Sequence, residues 1–437
     1  DRTLFAVGED KTAYGFIDKK GEICIQPHFA EVGQFSGGLV KIREGQKWGY
    51  ANLKGEVVIA PRYAAVGDFH EGMARVRDNR AWGYIDSLGN VVTPQKYLRA
   101  GDFKEGLAYV QTEKFYGFID RAGNMAITPA YSAVGDFSEG LAPAKRKGVY
   151  GLIDRRGNWV VQPNYYRIGS FKDNVAVIQE KGQFGMITPE GDFLVRPHYR
   201  EIGEFCEGLA RFKSGMEYGY MDSAGTVRIE DSYANAGDFS CGRAAVFVQG
   251  RWGFIDSGGV EVIPPKFLKV NAFVENRAAV RVGDKWGFID LAGEIVVPLV
   301  YDKVTDFKDG RAAVFVSGLG WGFVNPDGTR VIDCAYDAVG FRQEGIISVQ
   351  QGTKWGLINT YGAVMTPCKY DAIGNFRQGL ASAMMRRSVG VVDGQGKMLL
   401  EPKYDTVRRV GDLIQVEDDD AIGYIDLQGK WIWELSK

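Results

Sequence analysis

Three histidines, five cysteines and a recurring aspartate are the side chains with which this chain could do chemistry. His28, His70 and His198 lie far apart, and no two stand at metal-ligand spacing, so they read as surface residues. Asp18, Asp86, Asp120, Asp154, Asp222, Asp256, Asp290 and Asp426 recur at one place in a repeating pattern. Stacked carboxylates would suit calcium. However, the same place holds Asn52, Thr188, Asn325 or Asn359 in other copies, which preserve a turn but make a poor ligand set, so turn capping is favoured. Cys334 and Cys368 occupy equivalent positions in adjacent copies, and Cys206 and Cys241 nearly so. Equivalent residues of stacked sheets are about 10 Å apart, beyond the Cα separation of about 7 Å that a disulfide tolerates. Buried free thiols are expected. No phosphate-binding glycine loop or nucleophile elbow is present, and a Ser/His/Asp group would have to be assembled from distant segments. A non-enzymatic protein without cofactor or metal is the expectation.

The elements that would position any site repeat along the whole chain. A glycine, usually preceded by an aromatic, recurs about every 34 residues at Gly15, Gly49, Gly83, Gly117, Gly151, Gly185, Gly219, Gly253, Gly287, Gly322, Gly356, Gly390 and Gly423. Such a period signals a solenoid, a propeller or an array, in which one unit is too small to bury its own apolar face and must lean on its neighbours. The period leaves no linker, so residues 1–437 form one continuous domain. Net charge −2 supplies no field for gripping nucleic acid, and apolar runs are too short for a membrane-spanning helix. The start at Asp1, without Met or an apolar leader, fits either a processed mature protein or part of a longer one.

Each unit reads as three short strands. The first two are joined by a tight turn such as Asp18-Lys19-Lys20-Gly21 or Asn325-Pro326-Asp327-Gly328. A hairpin in every unit excludes a parallel β-helix. Between the second and third strands, landmarks such as Pro129, Tyr131 and Phe137 mark a connection of about ten residues, expected to be a compact loop or one helical turn whose rings plug the gap between sheets. The aromatic before the glycine, notably Trp48, Trp82, Trp252, Trp286, Trp321 and Trp355, is expected to pack between sheets as the structural core of the repeat. The fold class is therefore all-β: about 13 three-stranded antiparallel units. Because closed propellers usually hold about four to eight blades, an open propeller-like superhelix is expected. A closed ring is the alternative, with the first strand (Leu4-Phe5-Ala6-Val7) and the last (Trp431-Ile432-Trp433) combining into one unit.

Lys47-Trp48-Gly49-Tyr50, Lys285-Trp286-Gly287-Phe288-Ile289-Asp290 and Lys354-Trp355-Gly356-Leu357-Ile358-Asn359, each followed by Gly, an apolar pair, Pro and an aromatic, resemble the bacterial WG-repeat family. Other aromatics replace Trp at Tyr14, Tyr116, Tyr150, Phe184 and Tyr218, and no ring remains at Val389 and Ile422. The resemblance implies a repeat architecture and an exported or cell-envelope-associated bacterial protein that binds something, with no catalytic motif to transfer.

Binding residues are sought where the frame varies: Glu44-Gly45-Gln46-Lys47, Asp78-Asn79-Arg80-Ala81, Thr112-Glu113-Lys114-Phe115, Gly318-Leu319-Gly320 and Asp418-Asp419-Asp420-Ala421. Basic residues also cluster on the third strand in the N-terminal half. The candidate set is Arg43, Lys47, Arg75, Arg77, Arg80, Lys114, Lys145, Arg146, Lys147, Arg211 and Lys213. The function expected is a scaffold for a protein partner. The alternative is a glycan or cell-wall polymer, with exposed aromatics stacking on sugar faces.

Overall fold

A computed structural model describes residues 4–9, 13–419 and 421–435. They form thirteen small antiparallel sheets, numbered 1–13 in chain order, with no helix among the described residues. Sheet 1 holds β1 (Phe5–Glu9), β2 (Ala13–Ile17) and β3 (Ile23–Phe29). Sheet 2 holds β4 (Glu31–Ser36), β5 (Leu39–Glu44), β6 (Lys47–Asn52) and β7 (Val57–Tyr63), and the remaining sheets repeat this order of four, called a, b, c and d.

Twelve sheets thus have four strands, not the three expected. The connection expected to be a loop or helical turn supplies the extra strand, often only two residues long. In sheet 3, Ala65–Val66 pairs with Arg77 and Val76, and a bridge between His70 and Met73 closes the following turn. So short a strand carries no period-two signal.

Sheet 9 shows why the unit folds as it does. Asp290 opens the c–d turn: its Oδ1 accepts the backbone N–H groups of Ala292 and Glu294, both at 3.0 Å, and Gly293 takes φ +88. The same capping by Asp18, Asp86, Asp154, Asp222, Asp256 and Asp426 commits these carboxylates to turns. Strand c (Lys285–Ile289) pairs Trp286 with Tyr301 and Phe288 with Val297, so Gly287 alone faces the bulge Pro298-Leu299-Val300. A Cβ on Gly287 would lie 2.4 Å from the Val297 carbonyl oxygen. Only glycine lets the bulge close, and the bulge accommodates a proline that cannot donate to a ladder.

The residue after the glycine, not the tryptophan before it, wedges between sheets. Phe288 is fully buried and meets Phe307 of sheet 10 edge-on, with centroids 4.8 Å apart. Tyr50 with Phe69, Tyr84 with Phe103, Phe118 with Phe137, Tyr220 with Phe239 and Phe254 with Phe273 repeat the pair. The rings of the a-strand segment thus do plug the gap. Where the wedge is tyrosine, its hydroxyl also donates to the next sheet, as from Tyr50 to the Gly67 carbonyl at 2.6 Å. Tyr50→Phe is expected to lower unfolding stability by about 1 kcal/mol, the worth of one buried hydrogen bond, measured as a denaturant midpoint. By contrast Trp48, Trp82, Trp252, Trp286, Trp321 and Trp355 are only half-buried.

Thirteen apolar clusters each join two successive sheets. Twelve join neighbours in sequence, and the thirteenth joins Phe5, Val7 and Ile17 of sheet 1 to Leu413 and Tyr424 of sheet 13. The array is therefore a closed, propeller-like ring, the alternative to the open superhelix expected. Its closure also differs from the one envisaged. The first and last strands stay in separate sheets that pack face to face, with Tyr424 donating to the Ala6 carbonyl at 2.6 Å.

Candidate functional site

The ring has two rims. One gathers the a–b and c–d turns, and it is stitched from sheet to sheet. Glu71 in the a–b turn of sheet 3 accepts from the backbone of Gly106 at 2.8 Å and from Arg121 at 2.7 Å, both in sheet 4; these bonds hold its carboxyl below the usual range against the opposing effect of desolvation. Glu105 takes the backbone N–H groups of Glu139 and Gly140, and Glu275 those of Asp309 and Gly310. Further round, Arg243, Arg277 and Arg311 donate to the carbonyls of Leu291, Pro326 and Thr360 in the next sheet. These bonds tie successive sheets together along this rim, while its c–d turns expose Leu88 (74%), Val260 (61%) and Tyr361 (79%).

The other rim carries the b–c hairpin loops and the d–a corners, and its character changes around the ring. In sheets 10–13 the corner residue is an aspartate that clamps the following loop. Asp302 accepts from Ser317, Asp337 from Gly352, Asp371 from Arg386 and Asp405 from Asp419, each through backbone N–H. Lys285 adds a charge-assisted bond to Asp302 at 2.6 Å. That lysine, with the Ser317 N–H, pulls the Asp302 carboxyl down to about 2. A depressed folded-state pKa contributes stability that is present above the ordinary value of about 3.9 and is lost as pH falls through about 2. In Lys285→Met, NMR titration is expected to move the Asp302 midpoint up toward about 3.9.

Earlier in the ring the corners are Ala64, Leu98, Ser132 and Tyr166, which lack that carboxylate. There the rim exposes Leu98 (53%), Phe115 (49%), Tyr166 (61%) and Met216 (72%), with the exposed cations Arg80, Lys114, Arg146 and Lys147 among them. Adjacent loops are neighbours in space, for Lys47 of sheet 2 reaches Asp78 of sheet 3 at 3.5 Å.

The basic candidates therefore divide by position. Arg80, Lys114 and Lys147 stand exposed on b–c loops, with Lys47 and Arg146 exposed at the strand ends that flank such loops. Arg43, Arg75, Arg77, Lys145, Arg211 and Lys213, on strand b, are half-buried and turned onto the aromatics of their own sheet: Arg43 over Trp48, Arg75 and Arg77 over Trp82, Lys145 over Tyr150, Arg211 and Lys213 over Tyr218. Arg75 also lies 3.0 Å from Asp102 and Arg211 3.3 Å from Asp238, each in the following sheet. All six thus make cation–π contacts within their own sheets, and two of them also pair with the following sheet.

Sequence reasoning passed over the apolar members of the rim. Phe115 and Leu319 sit inside segments singled out as variable, and their hydrophobicity at a loop tip was the available signal. Of the Asp418–Ala421 segment, Asp420 lies outside the described residues. The three histidines are exposed, and among the described residues no cluster of three or more His, Cys, Asp or Glu could hold a metal ion. All five cysteines are free and half-buried rather than buried. Among the described residues no helix is long and apolar enough to cross a membrane.

The model of the WG containing repeat matches twelve successive segments, from 14–48 to 390–414. The chain belongs to this WG-repeat family. No curated protein matches it. Among solved structures, the computationally designed Ika8 protein is 14% identical over 68% of this chain and 96% of its own, with a TM-score of 0.29. BamB from Moraxella catarrhalis is 11% identical over 59% of this chain and 95% of its own, at 0.30. PorZ of Porphyromonas gingivalis, described as a surface component of the type-IX secretion system, is 10% identical over 100% of this chain and 81% of its own, at 0.23. Likeness this low assigns nothing further to the WG-repeat ring. Repetition of one frame with variable loops suits a binding scaffold.

Proposed function

We propose that this WG-repeat protein is a non-enzymatic scaffold that binds a protein partner through the loop rim of sheets 3–7. The observation that carries the reading is the contrast between rims. One is stitched by inter-sheet bonds, with Leu88, Val260 and Tyr361 exposed singly on its c–d turns, and the C-terminal part of the other is clamped by aspartates, with Leu319 exposed on one loop. The sector from Arg80 to Met216 instead presents exposed apolar side chains among cations. Aromatic and Met side chains beside Arg are the composition of a protein interface, and the cations select an acidic partner surface whose binding weakens with salt.

A photo-crosslinking residue at Phe115, compared with one at Arg121 on the stitched rim, tests this in extracts of the native host. A discrete protein adduct is expected from Phe115 and not from Arg121, and it should be lost when Arg80, Lys114 and Arg146 are changed together to Glu. Equal labelling from both positions would sink the proposal. So would adducts to saccharide polymer alone, which would instead support the glycan reading.

A further inference from the structure

We propose a second binding site, independent of the loop rim: the cleft between sheets 12 and 13 takes a carboxylate carried on a ring-sized apolar body. The cleft measures about 660 Å³ and is lined by residues of these two sheets alone.

It lies where a wedge is missing. At other junctions the residue after the repeat glycine meets a phenylalanine from the a segment of the next sheet, as Tyr50 meets Phe69 and Phe118 meets Phe137. Even the smaller Leu152 and Met186 share their clusters with Phe171 and Phe205. In sheet 12 the residue after Gly390 is only Val391, and the a strand of sheet 13 (Thr406–Val410) has no phenylalanine to set against it.

The register explains why no other apolar side chain takes that place. The a strand of sheet 13 pairs without a break, Arg408 with Gln415, Arg409 with Ile414 and Val410 with Leu413. Alternation then sends Val410 and Leu413 to the side of Phe5 in sheet 1, and Arg409 and Ile414 toward sheet 12. An arginine faces the gap that a ring fills elsewhere.

The charge pattern is reversed there as well. Lys41, Arg75 and Arg211 each pair with an aspartate in the a segment of the following sheet, namely Asp68, Asp102 and Asp238. Across the 12–13 junction Ser382 stands at the place of Arg75, since each lies opposite the residue after the repeat glycine, and Arg409 stands at the place of the aspartate. The Arg409 guanidinium is held by the carbonyls of Gly411 at 3.0 Å and Gln378 at 2.6 Å. The exposed Arg377 lines the same cleft, and no carboxylate does. Arg408, the third cation of the lining, donates to Gln415 at 2.6 Å. Glu344 and Asp393 border with Arg409 a separate hollow at the stitched rim, where Asp393 caps its own turn through Gln395 and Lys397.

Leu380, Ala381, Val391, Val407 and Ile414 give the cleft an apolar wall, and guanidinium groups match a carboxylate through paired N–H donors. The ligand brings the two parts this junction lacks, the ring and the acid.

The probe is phenylpropionate, titrated into the protein by isothermal calorimetry beside its amide and beside glycyl-glycyl-phenylalanine with a free carboxyl end. Saturable binding of the acid is expected, weakened about tenfold or more in the amide and in Arg409→Gln, the worth of a charge-assisted hydrogen bond. Val391→Phe puts a ring into the gap and should abolish binding, with the denaturation midpoint of each variant showing that it is folded. Changing Arg80, Lys114 and Arg146 together to Glu should leave binding unchanged. A peptide that binds more tightly than the free acid identifies a polypeptide end as the source of the carboxylate, and the reverse identifies a small organic acid. The proposal fails if neither probe saturates, if the amide binds as tightly as the acid, or if folded Arg409→Gln and Val391→Phe both bind like the parent.

Discussion

Gly287→Val is expected to lower the unfolding free energy by about 3 kcal/mol or more, because the new side chain meets backbone rather than a movable neighbour. The added Cβ would sit 2.4 Å from the Val297 carbonyl oxygen and 2.8 Å from that of Pro298. Relief would require undoing the bulge, which would shift the register by which Trp286 faces Tyr301 and turn strand d's apolar side chains off the core. The measurement is the urea midpoint, with far-UV circular dichroism to show whether the ring still forms. A change below about 1 kcal/mol, the range of an ordinary substitution, would mean that the bulge is not needed.

Phe288→Ala is expected to cost about 3–5 kcal/mol, whereas Trp286→Ala should cost clearly less, although tryptophan gives the repeat its name. Phe288 is fully buried between sheets 9 and 10, packed on Phe307 and sharing a cluster with Val314 and Val324. Trp286 lies at the border of that cluster and is half-buried. Its truncation removes fewer contacts, and water or a neighbouring side chain can fill the space. Equal losses in the two variants, measured by chemical denaturation, would contradict the assignment of the wedge to the residue after the glycine.

The period, the c–d turn and the need for stacking could be read from residues alone, because each rests on a local rule. Asp290 and Gly293 announce their turn by residue type, and Gly287 recurs because a backbone lies against it. The a strands could not be read that way: Ala65–Val66 is held by pairing with a strand several residues later, and two residues establish no alternation. Closure was hidden for a similar reason, since it depends on the small angle between successive sheets summed thirteen times, which no single unit encodes. The half-burial of Trp286 was missed because hydrophobicity alone does not distinguish a ring between sheets from one along their edge. Of the candidate site, the exposed cations were legible as variation in a constant frame. The division from the strand-b cations was not, because Arg75 and Arg211 find their aspartates one repeat further on.

Every described sheet is built from one uninterrupted stretch of chain, and no strand crosses from the last to the first. Twelve junctions are thus held by a peptide link as well as by side chains, while the one between Phe5 and Tyr424 has side-chain packing and the Ala6 hydrogen bond. The molecule is in effect a lock washer. Parting at that single joint would release it into a shallow spiral without breaking any sheet, so a circular permutant with new ends elsewhere would move the weak joint while keeping all thirteen modules whole.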